Sequence, residues 1–360
     1  MTAWTDRQLP QGDEIFLDHV GYFVADLEAA GRQLERLGFQ VSLLNVQYNA
    51  NEQGDLVQTG TSNRLALLER GFIEVLAATG RTPLADQLRK AMARYQGLHL
   101  IALTHADMTA QRSRLTSAGF AMQDIVNLRR RVATPEGERQ MAYSVLRTEP
   151  GQMAEGRVQM LTNHTPELLW MPGSMAHENR VDALTELLIC VRDLAEAASR
   201  YGRFVGRTVD SEGGCAVIAL ERGHIVLVDA SRAAAILPDL TLPDVPYVAG
   251  MALRTTDLVE TRRVLTRNSV RPLVATDQLI CVGPADALGA YILFHAESVD
   301  APWQALRSVS QLSFGCTGPP FAALASSASI RRCTRSASSP LTRASPPLWT
   351  ASRKSRHTLR

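Results

Sequence analysis

Four times along the chain an apolar stretch of strand length runs into a polar turn carrying an aspartate, and apolar residues at helical spacing follow. The stretches are Phe16 to Val24 before Asp26, Leu98 to Leu103 before Asp107, Leu184 to Val191 before Asp193, and Gly250 to Leu253 before Asp257. Behind each aspartate the spacing predicts an amphipathic helix: Leu27, Leu34 and Leu37, then Met108 and Leu115, Leu194 and Tyr201, and Leu258 and Leu265. The aspartate is the expected N-cap, because its carboxylate accepts backbone N–H groups that a first helical turn leaves without partners.

Short strands follow each helix. Arg64–Leu68 and Phe72–Leu76 flank the turn Glu69–Gly71, and Ala216–Leu220 and His224–Val228 flank Glu221–Gly223, so both read as hairpins. Each unit is therefore expected to be βαβββ, repeated four times. This repeat resembles the vicinal oxygen chelate superfamily, in particular its glyoxalase-like members, over roughly residues 14 to 298. The segments Gly60–Arg64 and Asn163–Trp170 look like pieces of that branch. The resemblance implies an α+β fold in which four modules form two paired cup-shaped mixed sheets around a divalent metal. It divides the chain into an N-terminal extension (1–13), a first pair (14–170), a linker (171–180), a second, degenerate pair (181–298) and a disordered tail (299–360).

Family members hold the metal near the middle of the first and last strand of each active module. Carried onto this chain, those positions are His19, Glu74, His99 and Gln159, a nitrogen and oxygen set that suits Zn, Ni, Mn, Co or Fe(II). By the period of two, Glu74 shares a strand face with Phe72 and Leu76, and His19 with Leu17 and Phe23. A carboxylate on such a face needs a cation or a basic partner, and Arg64 is the alternative to a metal. His99 lies eight residues before Asp107 whereas His19 lies seven before Asp26, so either one residue is inserted or Leu100 is the equivalent position. Glu74 is the candidate catalytic base. Asn63, Arg64, His164 and Glu167 are candidate substrate contacts, with helix capping as the alternative for the last two. Arg129–Arg131 and Arg139 flank the turn Thr134–Gly137 and read as a solvated hairpin, or as a seat for a carboxylate or phosphate. In the second pair Glu186 stands alone at a ligand position, with Val226, Gly250 and Leu293 at the others, so that pair is expected to buttress the first. The resemblance implies a metal-dependent lyase or isomerase acting on a small vicinally oxygenated substrate through an enediolate-like intermediate. A ring-cleaving Fe(II) dioxygenase and a metal-free small-molecule or drug-binding protein are the alternatives.

Charge and cysteine content narrow the partners. The formal charge is +2, yet residues 301–360 hold nine basic residues and no acidic one, leaving 2 − 9 = −7 on the rest. The main body is thus expected to bind neither nucleic acid nor an anionic membrane, and the partner in view is a small molecule, with a homodimer compatible. Five cysteines without a CxxC pair fit a reducing cytoplasm. The charge-free stretch 308–330 carries six serines and Pro319–Pro320 and does not read as a membrane helix. The tail is a basic arm for an anionic partner, or out-of-frame sequence beyond about residue 306. Dinucleotide, P-loop, HExxH and GxSxG signatures are absent from the sequence.

Overall fold

The computed structural model describes residues 7–50, 56–134 and 136–314. Its first run is β1 (Phe16–Phe23), α1 (Leu27–Arg36), β2 (Asn45–Ala50), β3 (Leu56–Leu67) and β4 (Phe72–Ala78), after which α2 (Pro83–Met92) leads on. The second is β5 (Gly97–Thr104), α3 (Met108–Ser117), β6 (Val126–Thr134), β7 (Gly137–Arg147) and β8 (Arg157–Asn163), closed by α4 (Pro166–Leu169). The third is β9 (Val181–Val191), α5 (Leu194–Val205), β10 (Asp210–Glu212), β11 (Cys215–Ala219) and β12 (His224–Asp229). The fourth is β13 (Tyr247–Thr255), α6 (Leu258–Arg267), β14 (Val274–Ala275), β15 (Leu279–Val282) and β16 (Tyr291–Ala296), and α7 (Pro302–Phe314) follows it.

All four aspartates cap their helices as the spacing predicts. Asp26 accepts from the N–H groups of Glu28 and Ala29, Asp107 from Thr109 and Ala110, Asp193 from Glu196, and Asp257 from Glu260. The two sequence-predicted hairpins form, and their turns are closed by Gly71 and Gly223 at φ +85° and +89°, values that favour glycine. Within each run the first strand pairs parallel with the last: β1 with β4, β5 with β8, β9 with β12, β13 with β16. First strands then meet antiparallel, β1 with β5 and β9 with β13, so each pair curls into a cup. The outer faces carry the helices, and one apolar core runs through both pairs, from Val20 and Leu34 to Leu187, Tyr201 and Phe294.

Two bulges break the period of two between β1 and β5. The β1–β5 register shifts between Leu17 and His19, so Leu17 joins the outer core while Asp18 and His19 both reach the inside of the cup. This corrects the expectation that His19 shares a face with Leu17. A second shift, between Gly21 and Tyr22, skips His99 on β5. The β9–β13 register shifts at the matching places, skipping Thr185 and Ala249.

The expected tail also needs correction. Residues 302–314 are helical, and Trp303 and Leu306 of α7 are buried at 1% and 0% exposure. The described residues fall in one unit; the remainder of the expected tail, 315–360, lies outside them. Among the described residues no helix is long and apolar enough to cross a membrane.

Candidate functional site

Strand register decides which positions are equivalent. Between β1 and β4 His19 pairs with Phe72 and Gly21 with Glu74; between β5 and β8 Leu100 pairs with Arg157 and Ala102 with Gln159. Leu100 therefore stands where His19 stands, and Gln159 where Glu74 stands. His99 is the bulged residue. Its ring stacks on Tyr95 at 4.1 Å and on Phe23 at 5.3 Å, and its Nε2 lies 2.8 Å from the Tyr95 carbonyl oxygen. Burial pushes its pKa down to about 4, which keeps the imidazole neutral at pH 7. The structure thus separates His99 from His19 and Glu74: packed between Tyr95 and Phe23, it does not line the cavity that they share.

His19, Glu74 and Gln159 do come together on the wall of a cavity of about 290 Å³. His19 Nε2 lies 3.7 Å from Glu74 Oε2, and the imidazole stacks on Phe72 with centroids 4.1 Å apart. Its Nδ1 is 2.6 Å from Asp18 Oδ1. An ionised carboxylate only accepts, so Nδ1 carries a proton, and Nε2 faces Glu74 and the cavity. The bulge at Asp18 creates this arrangement, since it puts two neighbouring residues on one side of the sheet. On the other side of Glu74, Asn63 Nδ2 donates to Oε1, and Asn45 Nδ2 donates to Asn63 Oδ1 at 3.0 Å.

Three of the expected substrate contacts lie elsewhere. Arg64 points away from Glu74, toward α1, where Gly31 leaves room for its guanidinium; it pairs with Glu28 and Glu35 at 3.4 and 3.3 Å. His164 is exposed and bonded to Ser144 Oγ at 2.8 Å, and Glu167 is exposed and paired with Arg139 at 2.9 Å. Asn63 alone of the four reaches the cavity. Arg129 and Arg130, expected as part of a solvated hairpin, line it as well, whereas Arg131 pairs with exposed Glu138. Sequence reasoning missed Asp18, Arg147 and Arg157. The two arginines were accessible in principle, for Arg157 lies two residues before Gln159 on one strand, and Arg147 is the cross-strand partner of Gln159.

The family model for a glyoxalase-like domain matches residues 17–205, from β1 through α5, and so contains the whole first cup. The chain belongs to the glyoxalase-like domain family. Its fold is similar to a hypothetical protein from Staphylococcus aureus, with a TM-score of 0.57 and 10% identity over 78% of this chain and 99% of that one. A xylose isomerase-like TIM barrel/4-hydroxyphenylpyruvate dioxygenase fusion protein aligns with a TM-score of 0.53 and 11% identity, over 85% of this chain and 53% of that one. A Mn(II)-bound glyoxalase from Novosphingobium aromaticivorans aligns at 0.47 and 10%, over 81% and 84%. At these identities the likeness is one of fold. No curated protein matches the chain.

The donor atoms of this glyoxalase-like cup can be tested against the divalent ion that the sequence led us to expect. Of the four matched positions, His19 and Glu74 offer strong donors, Gln159 an amide, and Leu100 none. Gln159 Oε1 already accepts from Arg147 Nε at 3.1 Å. The guanidinium groups of Arg147 and Arg157 line the same cavity and repel a dication at short range. Among the described residues no three His, Cys, Asp or Glu side chains are placed to share a metal. The set falls short of what holds a divalent ion against water, and with His99 off the cavity wall the two-histidine, one-carboxylate set of a non-haem iron dioxygenase is not assembled. What the cup does present is a carboxylate–imidazole–carboxylate line facing arginines.

Proposed function

We propose that the first cup is an acid–base active site acting on a small oxygenated molecule, in the manner of a lyase or isomerase, without a resident metal. The observation that carries this reading is the oriented pair: His19 Nε2 facing Glu74 Oε2 at 3.7 Å, with Asp18 fixing the imidazole tautomer. A substrate C–H next to a carbonyl would give its proton to Glu74 or His19, and the electron pair would move onto the carbonyl oxygen. Arg129 and Arg130, which line the same cavity, supply positive charge for that developing oxyanion. Passage of the adjacent hydroxyl's proton to that oxygen, and return of the abstracted proton to the former carbonyl carbon, complete the isomerisation of an α-hydroxy carbonyl, so atoms balance and no oxidant is consumed. Phe72, Leu76, Leu100 and Leu161 make the wall apolar, which strengthens each charge interaction by excluding water.

The test is deuterium exchange from D₂O into 2-oxoaldehydes and α-hydroxy ketones, followed by proton NMR with a chelator present. Exchange that persists with chelator, and disappears in both His19→Ala and Glu74→Gln, is the expected result. Exchange that stops on chelation and returns with added Mn(II) or Zn(II) would restore the metal-dependent reading. Tight binding without exchange would favour a protein that sequesters its ligand.

A further inference from the structure

The inner face of β8 carries an unusual series. Arg157, Gln159, Leu161 and Asn163 alternate along it and all line the cavity, and Arg147 of β7 stands across from Gln159. Arg147 spends its Nε on Gln159 Oε1, and Arg157 reaches Gln87 Oε1 at 3.3 Å and lies 5.6 Å over the ring of Phe23. Among the described residues neither forms an ion pair with a carboxylate. Arg200 and Arg254 reach inward and end on carboxylates, Glu155 at 2.8 Å and Asp182 at 2.6 Å, whereas buried Arg222 donates to the Arg7 carbonyl oxygen and lies over the ring of Phe16. Asn163, 3% exposed, has an amide Nδ2 without a hydrogen-bond partner on the same wall.

Two guanidinium groups side by side in a low-dielectric wall repel each other, and burial disfavours each charge. For Arg157 burial comes first and Arg147 second in pulling the pKa down, to about 10, which still leaves the group fully charged at pH 7. Such a pair costs stability unless an anion completes it, and guanidinium forks match the two oxygens of a carboxylate or phosphate.

We propose that Arg147 and Arg157 form a clamp for one anionic group of the ligand, so that this glyoxalase-like cup takes a small carboxylate or phosphate monoester with an apolar body. The proposal rests on the first cup being the working site, and it adds the substrate's charge. Leu100, Leu128, Val145 and Leu161 surround the clamp and receive the apolar part. The anionic group sits on the β7–β8 wall, opposite the His19–Glu74 pair, which leaves the rest of the molecule within the cup where proton transfer is proposed.

The experiment is calorimetric titration of the full chain with benzoate, phenyl phosphate and the neutral isostere benzamide. One charge-assisted contact changes affinity by about tenfold or more, so benzoate or phenyl phosphate should bind at least about tenfold tighter than benzamide. Which of the two wins decides between a carboxylate and a phosphate. Arg147→Met and Arg157→Met should each erase the preference, Arg147→Lys should keep part of it, and Arg131→Met, on the exposed hairpin, should keep all of it. In anion-free buffer the two methionine variants should melt at or above the wild-type temperature, because like-charge repulsion is relieved. Equal binding of acid and amide, retention of the preference in both methionine variants, or methionine variants that melt well below wild type with no response to the anions would overturn the clamp. His19→Ala and Glu74→Gln separate this from the acid–base reading: anion preference that survives in them while exchange is never detected leaves the clamp standing and removes the proton-transfer chemistry.

Discussion

The two cups share strand register, bulges and capped helices, yet their inner faces have opposite contents. In the second, Trp303 from α7 lies over the floor. A Cβ built on Gly250, the counterpart of Leu100, would meet its ring at 3.0 Å, and Trp303 N donates to Glu186 Oε2 at 3.5 Å. Leu188, Val226, Leu293, Trp303 and Leu306 close into one apolar cluster there. In the first cup the inner apolar residues fall into three small clusters around an open cavity, and charged groups fill the gaps between them. The same sheet thus supports either a filled core or a ligand site, and what decides is whether the polar residues on it are left facing a void or covered by an appended helix. A carboxylate–imidazole contact survives beside the plug, with half-buried His224 Nδ1 3.3 Å from buried Glu186 Oε1; burial raises the Glu186 pKa, and among the described residues no arginine forms an ion pair with it.

The largest expected effect comes from removing the plug. Trp303→Ala should cost about 3–5 kcal/mol, the range for truncating a buried aromatic, read as a fall in the chemical denaturation midpoint. Truncation after Asp300 should do at least as much, while truncation after Phe314 should leave the transition where it was. A truncation after Asp300 that melts like the full chain would mean that α7 is no plug.

A second, smaller effect is on acid stability. Burial holds His99, beneath the first cup, and His295, in the second pair, at pKa values of about 4, against 6.5 when exposed. Between those values the unfolded chain takes up protons that the folded chain refuses, so stability is complete above about pH 6.5 and is lost as pH falls toward 4, each imidazole contributing at most about 1.4 kcal/mol per pH unit. Glu186 works in the opposite direction, because its raised pKa lets the folded chain keep a proton above pH 4.5. Denaturation midpoints between pH 7 and 4 should show a net fall that His99→Phe flattens, with deuterium exchange in the first cup unchanged. If His99→Phe abolished exchange while the fold held, the histidine would belong to the site after all.

These features differ in how far the chain announces them. Strands, helix caps and hairpins follow from local rules, and Asp26, Asp107, Asp193 and Asp257 mark them openly. The placement of Glu74 with Phe72 and Leu76 follows as well, because β4 is regular. Bulges carry no residue signature: the one trace of the β5 bulge is the extra residue between His99 and Asp107, and no comparable trace marks Asp18. Arg147 and Arg157 escaped because a charged side chain on a strand reads by default as outward-facing. In α7, Trp303 and Leu306 are three apart on a helical stripe, a signal that the serine-rich composition of the following residues masked.

The comparison between cups turns on the register that puts Leu100 in the place of a ligand. Metal content, measured by elemental analysis on wild type and on Leu100→His after expression in metal-supplemented medium, tests this most directly. Wild type should carry less than about a tenth of an equivalent, and Leu100→His, which adds a second imidazole beside His19 and Glu74, should carry several times more. A full equivalent in wild type that is emptied by Glu74→Ala would contradict the account and return the first cup to metal chemistry.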